Sequence, residues 1–244
     1  MHWQQRWLAI LNKTQVVTTT HAVDQLLDTL AHPVNCHVLA FVNAHAMNSS
    51  AEAVNFYEAL ISADTVLRDG SGMALLYRLL GREPGLNLNG TDLIPKIISR
   101  FNGRPISLYG TTEPFLSTAA QVMSRTLCSG SKIAVSDGFS NPATYVELAA
   151  AQQPALIVLG MGMPKQEIVA RLLRNNSHSP CLIVCGGAIV DFLGRRTRRA
   201  PKLLRILGLE WAFRLMLEPR RLFSRYVLGN PIFVWRSLRL SWPL

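Results

Sequence analysis

Short apolar or β-branched runs recur along the chain, and most are followed by a glycine or polar turn and then a longer amphipathic segment. His37–Val42, Thr65–Leu67, Ile106–Tyr109, Ile133–Val135, Ala155–Leu159 and Leu182–Val184 read as strands. Ala51–Ser62, Met73–Leu80, Pro114–Leu127 and Lys165–Arg174 read as helices. The repeated strand–glycine–helix order predicts an α/β fold: a Rossmann-like, mostly parallel sheet with helices on both faces. Ligands of such sheets bind beyond the carboxyl ends of the strands. The segments there are Asn43 onward, Asp69–Gly72, Gly110–Thr112, Asp137–Phe139, Gly160–Gln166 and Gly186–Asp191. Most carry glycine, which lets backbone approach a ligand closely.

After Asp191 the pattern changes. Arg195–Arg199 is a basic loop, Pro201 suits a helix start, and Lys202–Leu217 reads as one helix with a thick apolar face. Pro219 ends it and can open another helix, on which Arg221 and Arg225 share a face. The expected organisation is a catalytic α/β domain over 1–194 and a basic amphipathic helical appendage over 195–244.

Charge sharpens that division. Residues 1–194 hold 13 Lys/Arg against 13 Asp/Glu, whereas 195–244 hold 12 against two, so the whole net charge of +10 lies in the last 50 residues. Trp211, Phe213, Phe223, Tyr226, Phe233, Trp235 and Trp242 lie among them. Arginine mixed with aromatics and leucines suits an anionic membrane surface or a phosphate-rich ligand. Nucleic acid is the rival for any basic segment. The apolar density and the lack of a helix-turn-helix or RNA-binding pattern turn the reading away from it.

The remaining composition sets bounds. A chain of 244 residues, 49% hydrophobic, has enough apolar mass for a large core. No apolar run reaches the roughly 18 residues needed to span a bilayer, and Trp7–Leu11 is too short for a signal peptide. The expectation is a cytosolic protein that touches a membrane from that side. Cys181 and Cys185 are four strand residues apart, about 13 Å, beyond disulfide reach, so free thiols are expected. The histidines show no metal-ligand spacing, and neither a metal nor a cofactor is expected.

Two loops carry candidate chemistry. Asp69-Gly70-Ser71-Gly72 follows a strand and precedes a helix. Asp69 there is either a general base facing the crevice or the N-cap of the helix. Gly160-Met161-Gly162-Met163-Pro164-Lys165-Gln166-Glu167 leads from a glycine turn into a helix start, where free N–H groups suit a phosphate or sugar hydroxyl. The alternative is an ordinary strand–helix loop with a solvated lysine. Neither Gly70–Gly72 nor Gly160–Gly162 completes a dinucleotide fingerprint, which weakens an oxidoreductase reading.

In this order the motifs resemble one family, the WecG/TagA/CpsF glycosyltransferases. The resemblance rests on Val42-Asn43-Ala44 with Met47 and Ser50-Ala51, Asp69-Gly70-Ser71-Gly72, Gly90-Thr91-Asp92-Leu93, Tyr109-Gly110, Asp137-Gly138-Phe139, Gly160–Glu167 and Gly186-Gly187 with Asp191-Phe192. Most specific is Arg199-Ala200-Pro201 running into Gly208-Leu209-Glu210-Trp211, Arg214 and Glu218-Pro219-Arg220-Arg221. The resemblance spans about 40 to 230.

The resemblance implies an inverting, metal-independent transfer of N-acetylmannosamine, its uronic acid or a related hexose from a UDP-sugar. The acceptor would be a sugar on a polyprenyl diphosphate at the inner membrane face, in surface polysaccharide synthesis. It implies Asp69 as the base and Gln166 as a substrate-positioning group. Arg214, Arg221 and Arg225 would close over the diphosphate, and Asp191 and Phe139 would hold uracil. Asn43, Gly70, Gly90, Asp92, Gly110, Gly160, Lys165 and Gly187 complete the expected substrate-binding set. The implied partners are the UDP-sugar, the lipid-linked acceptor and an anionic membrane; homo-oligomer formation is compatible with the sequence.

Three positions depart from the family pattern. Asn87 stands where Arg-Val-x-Gly would put arginine, Phe41 where some members have threonine, and Phe139 where tyrosine is more usual. The rival from another class is a non-enzymatic adaptor binding anionic lipid or nucleic acid through 195–244.

Overall fold

The computed structural model describes residues 1–177 and 179–242. Pro243 and Leu244, at the end of the expected appendage, lie outside the described residues, as does His178. The elements run α1 (Trp3–Lys13), β1 (Thr14–Gln15), α2 (Thr20–Ala31), β2 (Cys36–Val42), α3 (Ala44–Glu52), α4 (Val54–Ile61), β3 (Thr65–Arg68) and α5 (Ser71–Leu79). They continue with α6 (Gly90–Arg100), β4 (Ile106–Gly110), α7 (Phe115–Thr126), β5 (Ile133–Ser136), α8 (Pro142–Gln152), β6 (Leu156–Gly160), α9 (Lys165–Asn176) and β7 (Cys181–Cys185). The last are α10 (Ile189–Leu193), α11 (Lys202–Ile206), α12 (Glu210–Leu217), α13 (Pro219–Phe223), a π-helical turn over Ser224–Leu228, and α14 (Gly229–Ser241).

All seven strands are parallel, in the order β1-β3-β2-β7-β6-β4-β5. The apolar runs are continuous because both faces of the sheet are covered. On β2, Val38, Ala40 and Val42 join one core with residues of α1, α3, α4, α5, α9 and α14. Leu39 and Phe41 join the other with α2, α6, α7 and α10. The expected α/β architecture with helices on both faces is therefore present. Among the described residues no helix is long and apolar enough to cross a membrane. The four cysteines are free.

Two helices differ from the expected ones, each for a local reason. The helix expected over Ala51–Ser62 starts earlier, because the Asn43 side chain caps it by accepting from the Ala46 N–H at 3.0 Å. It then breaks at Ala53, which is extended (φ −113°). The long helix expected over Lys202–Leu217 is two, α11 and α12, parted at Gly208 with φ of +71°. Glycine takes that left-handed conformation at little cost.

The basic C-terminal segment returns to the core. Phe233 of α14 is 2% exposed and packs on Trp7, with ring centroids 5.4 Å apart. Gly72 lets α14 approach α5: an added Cβ would lie 3.4 Å from the Phe233 ring. Asn48 Nδ2 donates to the Gly229 carbonyl at 2.7 Å, and Arg236 binds both Asn48 and Glu52. Removing a buried ring of this size typically costs about 3–5 kcal/mol. Phe233→Ala is accordingly expected to lower the denaturant midpoint by that equivalent, and a loss under about 1 kcal/mol would show that α14 is not part of the core.

Candidate active site

The site begins where β2 and β3 end. Val42 pairs with Arg68, and one residue further the Asp69 N–H still donates to the Val42 carbonyl at 2.8 Å. Asn43 and Asp69 thus leave adjacent strands side by side. Arg68, 5% exposed, fixes the loop that follows: its guanidinium donates to the carbonyls of Pro84, Gly70 and Gly85 at 2.8, 3.0 and 2.9 Å. The Asn87 Oδ1 accepts from the Gly70 N–H at 2.8 Å.

Of the two roles open to Asp69, the helix cap is not the one built. The N-cap position of α5 is Gly70, at φ +89°, and no side chain caps the helix. The Asp69 carboxylate is left to the cleft. Burial raises its pKa above the ordinary value and Glu210 adds to this, while Arg214, Arg225 and a hydrogen bond from Asn43 pull the other way.

Asp69 lies in a wall shared by two cavities, together with Asn43, Thr91, Arg214, Arg225 and Tyr226. The first cavity, about 440 Å³, adds Gly70, Leu75, Arg205, Trp211, Phe233 and Val234. The second, about 350 Å³, adds Gly90, Phe139, Gly160, Gln166, Gly187 and Asp191, with Arg196 and Arg221. Most of the residues singled out from sequence therefore meet in one cleft.

Three do not reach its walls. Asp92 is ion-paired with Arg199 and approached by Arg205 at 3.9 Å. Burial would raise its pKa, but hydrogen bonds from Arg199 and Asn89 outweigh that and lower it. Gly110 faces Gly160 across the strand pair, where an added Cβ would lie 2.5 Å from the Gly160 carbonyl carbon. Lys165 is neither solvated nor in the cavity. Its Nζ donates to the carbonyls of Gly138 and Ser140, both at 2.8 Å, and so braces the loop that presents Phe139, 70% exposed.

The second cavity has oriented polar groups. The Gln166 Oε1 accepts from the Gly187 N–H at 2.9 Å, and its Nε2 donates to Glu167 Oε1 at 2.8 Å. Its other amide hydrogen remains for the cavity. The Asp191 carboxylate accepts from Thr111 Oγ1 at 2.7 Å and lies 3.6 Å from Arg196. The Arg214 guanidinium stacks over Phe192 at 4.7 Å and binds Glu210 at 2.9 Å. The Nε groups of Arg214 and Arg225 are buried without a partner. Arg221 pairs with Glu218 and is more exposed. Among the described residues no three His, Cys, Asp or Glu side chains converge as a metal site; guanidinium groups are the cations present. Buried arginines with unmet donors suit a multivalent anion such as a diphosphate.

Sequence reasoning missed His45, Arg196 and Arg205 as cavity-lining residues, and the buried Glu167 that holds the Gln166 amide. For Glu167 a signal existed: the buried stripe Val169, Ala170, Leu173 extends back one turn to Gln166 and Glu167. His45 lines the first cavity, and burial with Arg225 nearby lowers its pKa to about 4, so its imidazole is neutral.

The sequence model of the glycosyl transferase WecG/TagA/CpsF family matches residues 9–243. An N-acetylglucosaminyldiphosphoundecaprenol N-acetyl-beta-D-mannosaminyltransferase of Bacillus spizizenii is 26% identical over 187 residues, 75% of this chain and 72% of that protein. A protein of the same name from Bacillus subtilis is 26% identical over 187 residues, 75% of this chain and 73% of its own.

Glu167 carries a measurable pH dependence. Burial raises its pKa from 4.5 to about 7, against the hydrogen bond from Gln166 and the pull of Arg225. Between those values the folded chain keeps a proton that the unfolded chain has released. Stability therefore falls as pH rises through this window. Glu167→Gln cannot ionise and should remove that fall, gaining up to roughly 3 kcal/mol over the parent above pH ~7. Denaturant melts across pH ~4.5–7.5 that run parallel for the two proteins would exclude the buried, proton-holding carboxyl.

Proposed function

The chain belongs to the WecG/TagA/CpsF glycosyltransferase family, and on that premise we propose that it moves a sugar of the N-acetylmannosamine class from a UDP-sugar to N-acetylglucosamine on a polyprenyl diphosphate. The Bacillus relatives carry that donor sugar and acceptor in their names. The observation that carries the reading is the place of Asp69, a carboxylate not used as a cap, on the wall between two cavities of unlike chemistry.

In this reading the second cavity takes the donor. Phe139 stacks on uracil and Asp191 hydrogen-bonds it. Arg214, Arg221 and Arg225 neutralise the diphosphate, and the free Gln166 N–H orients the sugar. The first cavity, with Leu75 and Trp211 on its wall, takes the lipid-linked acceptor. Asp69 removes the proton of the acceptor hydroxyl as that oxygen bonds to the anomeric carbon. The bond to UDP breaks on the opposite face, so configuration inverts. Burial raises the affinity of Asp69 for a proton, which suits a base. Charge on departing UDP is met by arginines already in place, so no metal step is required.

The test is a panel of UDP-sugars assayed with the lipid-linked acceptor. Asp69→Asn should lower turnover by about 10²–10⁴ with an unchanged melting profile, and the parent should keep its rate in EDTA. Near-parental turnover by the variant would remove the base from the mechanism. Silence in EDTA with rescue by a divalent cation would do the same for metal independence. Absence of both transfer and donor hydrolysis would leave the adaptor reading.

We also propose that residues 195–244 seat the protein on the cytoplasmic face of the inner membrane while contributing arginines to the cleft. Supporting this, Leu203, Ile206, Leu207, Met216, Trp235 and Trp242 are exposed beside Arg198, Lys202, Arg220 and Arg239. Each basic residue near an anionic bilayer contributes about 1 kcal/mol. Replacing these four by glutamine should weaken vesicle binding and its salt dependence, yet leave turnover on a soluble acceptor analogue intact. Equal binding by parent and variant would refute the anchor.

A further inference from the structure

The proposed chemistry leaves one arginine of the first cavity without a role. Arg205 on α11 lines that cavity with Asn87 and Asn89. Its side chain is two-thirds covered, at 31% exposure, and its Nε is buried without a partner. The nearest carboxylate, Asp92, stands 3.9 Å from its Nη1, beyond a direct hydrogen bond. Asp92 is already engaged by Arg199 and by Asn89 Nδ2, the latter at 2.8 Å. One carboxylate thus faces two guanidinium groups, and a positive charge is left over at the cavity edge.

Asn87 adds a donor at the same edge. Its Oδ1 is taken by the Gly70 N–H, which assigns the amide so that its NH₂ group is the one left for the cavity. Covering a guanidinium while its donors go unmet is costly. The arrangement is relieved by an anion that accepts from Arg205 and Asn87 together. The lining also includes apolar Leu75, Trp211 and Val234, each more than a third exposed. An anionic head joined to an apolar chain matches this mixed lining.

We propose that Arg205 and Asn87, which line the first cavity and not the second, bind the diphosphate of the prenyl-linked acceptor. This rests on the reading of the first cavity as the acceptor's. It assigns the two diphosphates of the reaction to different cations: Arg214, Arg221 and Arg225 for the one that leaves, Arg205 for the one that stays.

The experiment is equilibrium binding of farnesyl diphosphate to the full chain, with farnesyl monophosphate, inorganic pyrophosphate and phosphatidylglycerol vesicles as comparison probes. Arg205→Gln should weaken farnesyl diphosphate by about tenfold or more, the usual scale for a lost charge-assisted hydrogen bond. UDP affinity and vesicle binding should be unchanged, and Arg205→Lys should recover part of the loss. In the transfer assay the same variant should raise KM for the lipid acceptor without changing KM for the UDP-sugar. No binding of farnesyl diphosphate by the parent, an unchanged affinity in the variant, or an equal loss of UDP binding would each overturn the assignment. So would a loss seen only with vesicles, which would make Arg205 a surface anchor. If arginine-dependent binding is found without any sugar transfer, the phosphate site stands and the transferase reading falls; transfer with no effect at Arg205 gives the reverse.

Discussion

A single backbone hydrogen bond sets the geometry of the cleft. The Asp69 N–H reaches the Val42 carbonyl one residue after β3 has ended. It holds the last turn of one strand against the last turn of its neighbour, so Asn43 and Asp69 cannot separate. Everything placed around them depends on that register. A one-residue slip of β3 would turn Asp69 toward the opposite face of the sheet. Arg68 then secures the register by tying β3 to the 84–85 loop through two carbonyls and to Gly70 through a third. A buried charge held by three acceptors strongly disfavours other arrangements, since any of them would leave the guanidinium unmet.

The cleft wall is assembled from distant parts of the chain by unlike forces. Burial of apolar strand faces brings the carboxyl ends of β2, β3, β6 and β7 into line. Polar contacts then trim the loops: Lys165 braces the turn before Phe139, and Gly187 fixes the Gln166 amide. The arginines come last, on short helices after residue 200 that are mostly exposed on their outer side. The unmet Nε groups are those of Arg214 and Arg225, among others, and these two arginines oppose the burial that raises the proton affinity of Asp69. The same dry surroundings that raise the proton affinity of Asp69 also strengthen the attraction of its carboxylate to those cations.

The sheet was legible because the faces of its central strands are buried, which makes β2, β3, β4, β6 and β7 largely apolar runs with a glycine or polar stop. Asp69, Gln166 and the arginines were legible because they sit at those stops or in a charge-biased tail. What escaped was set by tertiary context. Lys165 looked like a ligand donor, but nearby carbonyls of a loop 25 residues earlier claim its ammonium group. Asp92 looked like a cleft acid, but arginines from the far end of the chain reach it first. The two-residue strand β1 carries no periodic signal of its own. The break at Gly208 rests on one left-handed residue within a segment whose apolar pattern is otherwise helical.

The contact between Trp7 and Phe233 joins residues 226 positions apart in the sequence. Contacts this distant in the chain close late in folding, because the intervening loop must first give up its freedom. During synthesis, α1 is made long before the ring that will cover it exists. The core on that side of the sheet stays open until residue 233 has left the ribosome. Partly made chains therefore expose an apolar seam even after the cleft arginines, all of which precede residue 233, have been made. The order of translation makes the nascent form dependent on whatever shields that seam.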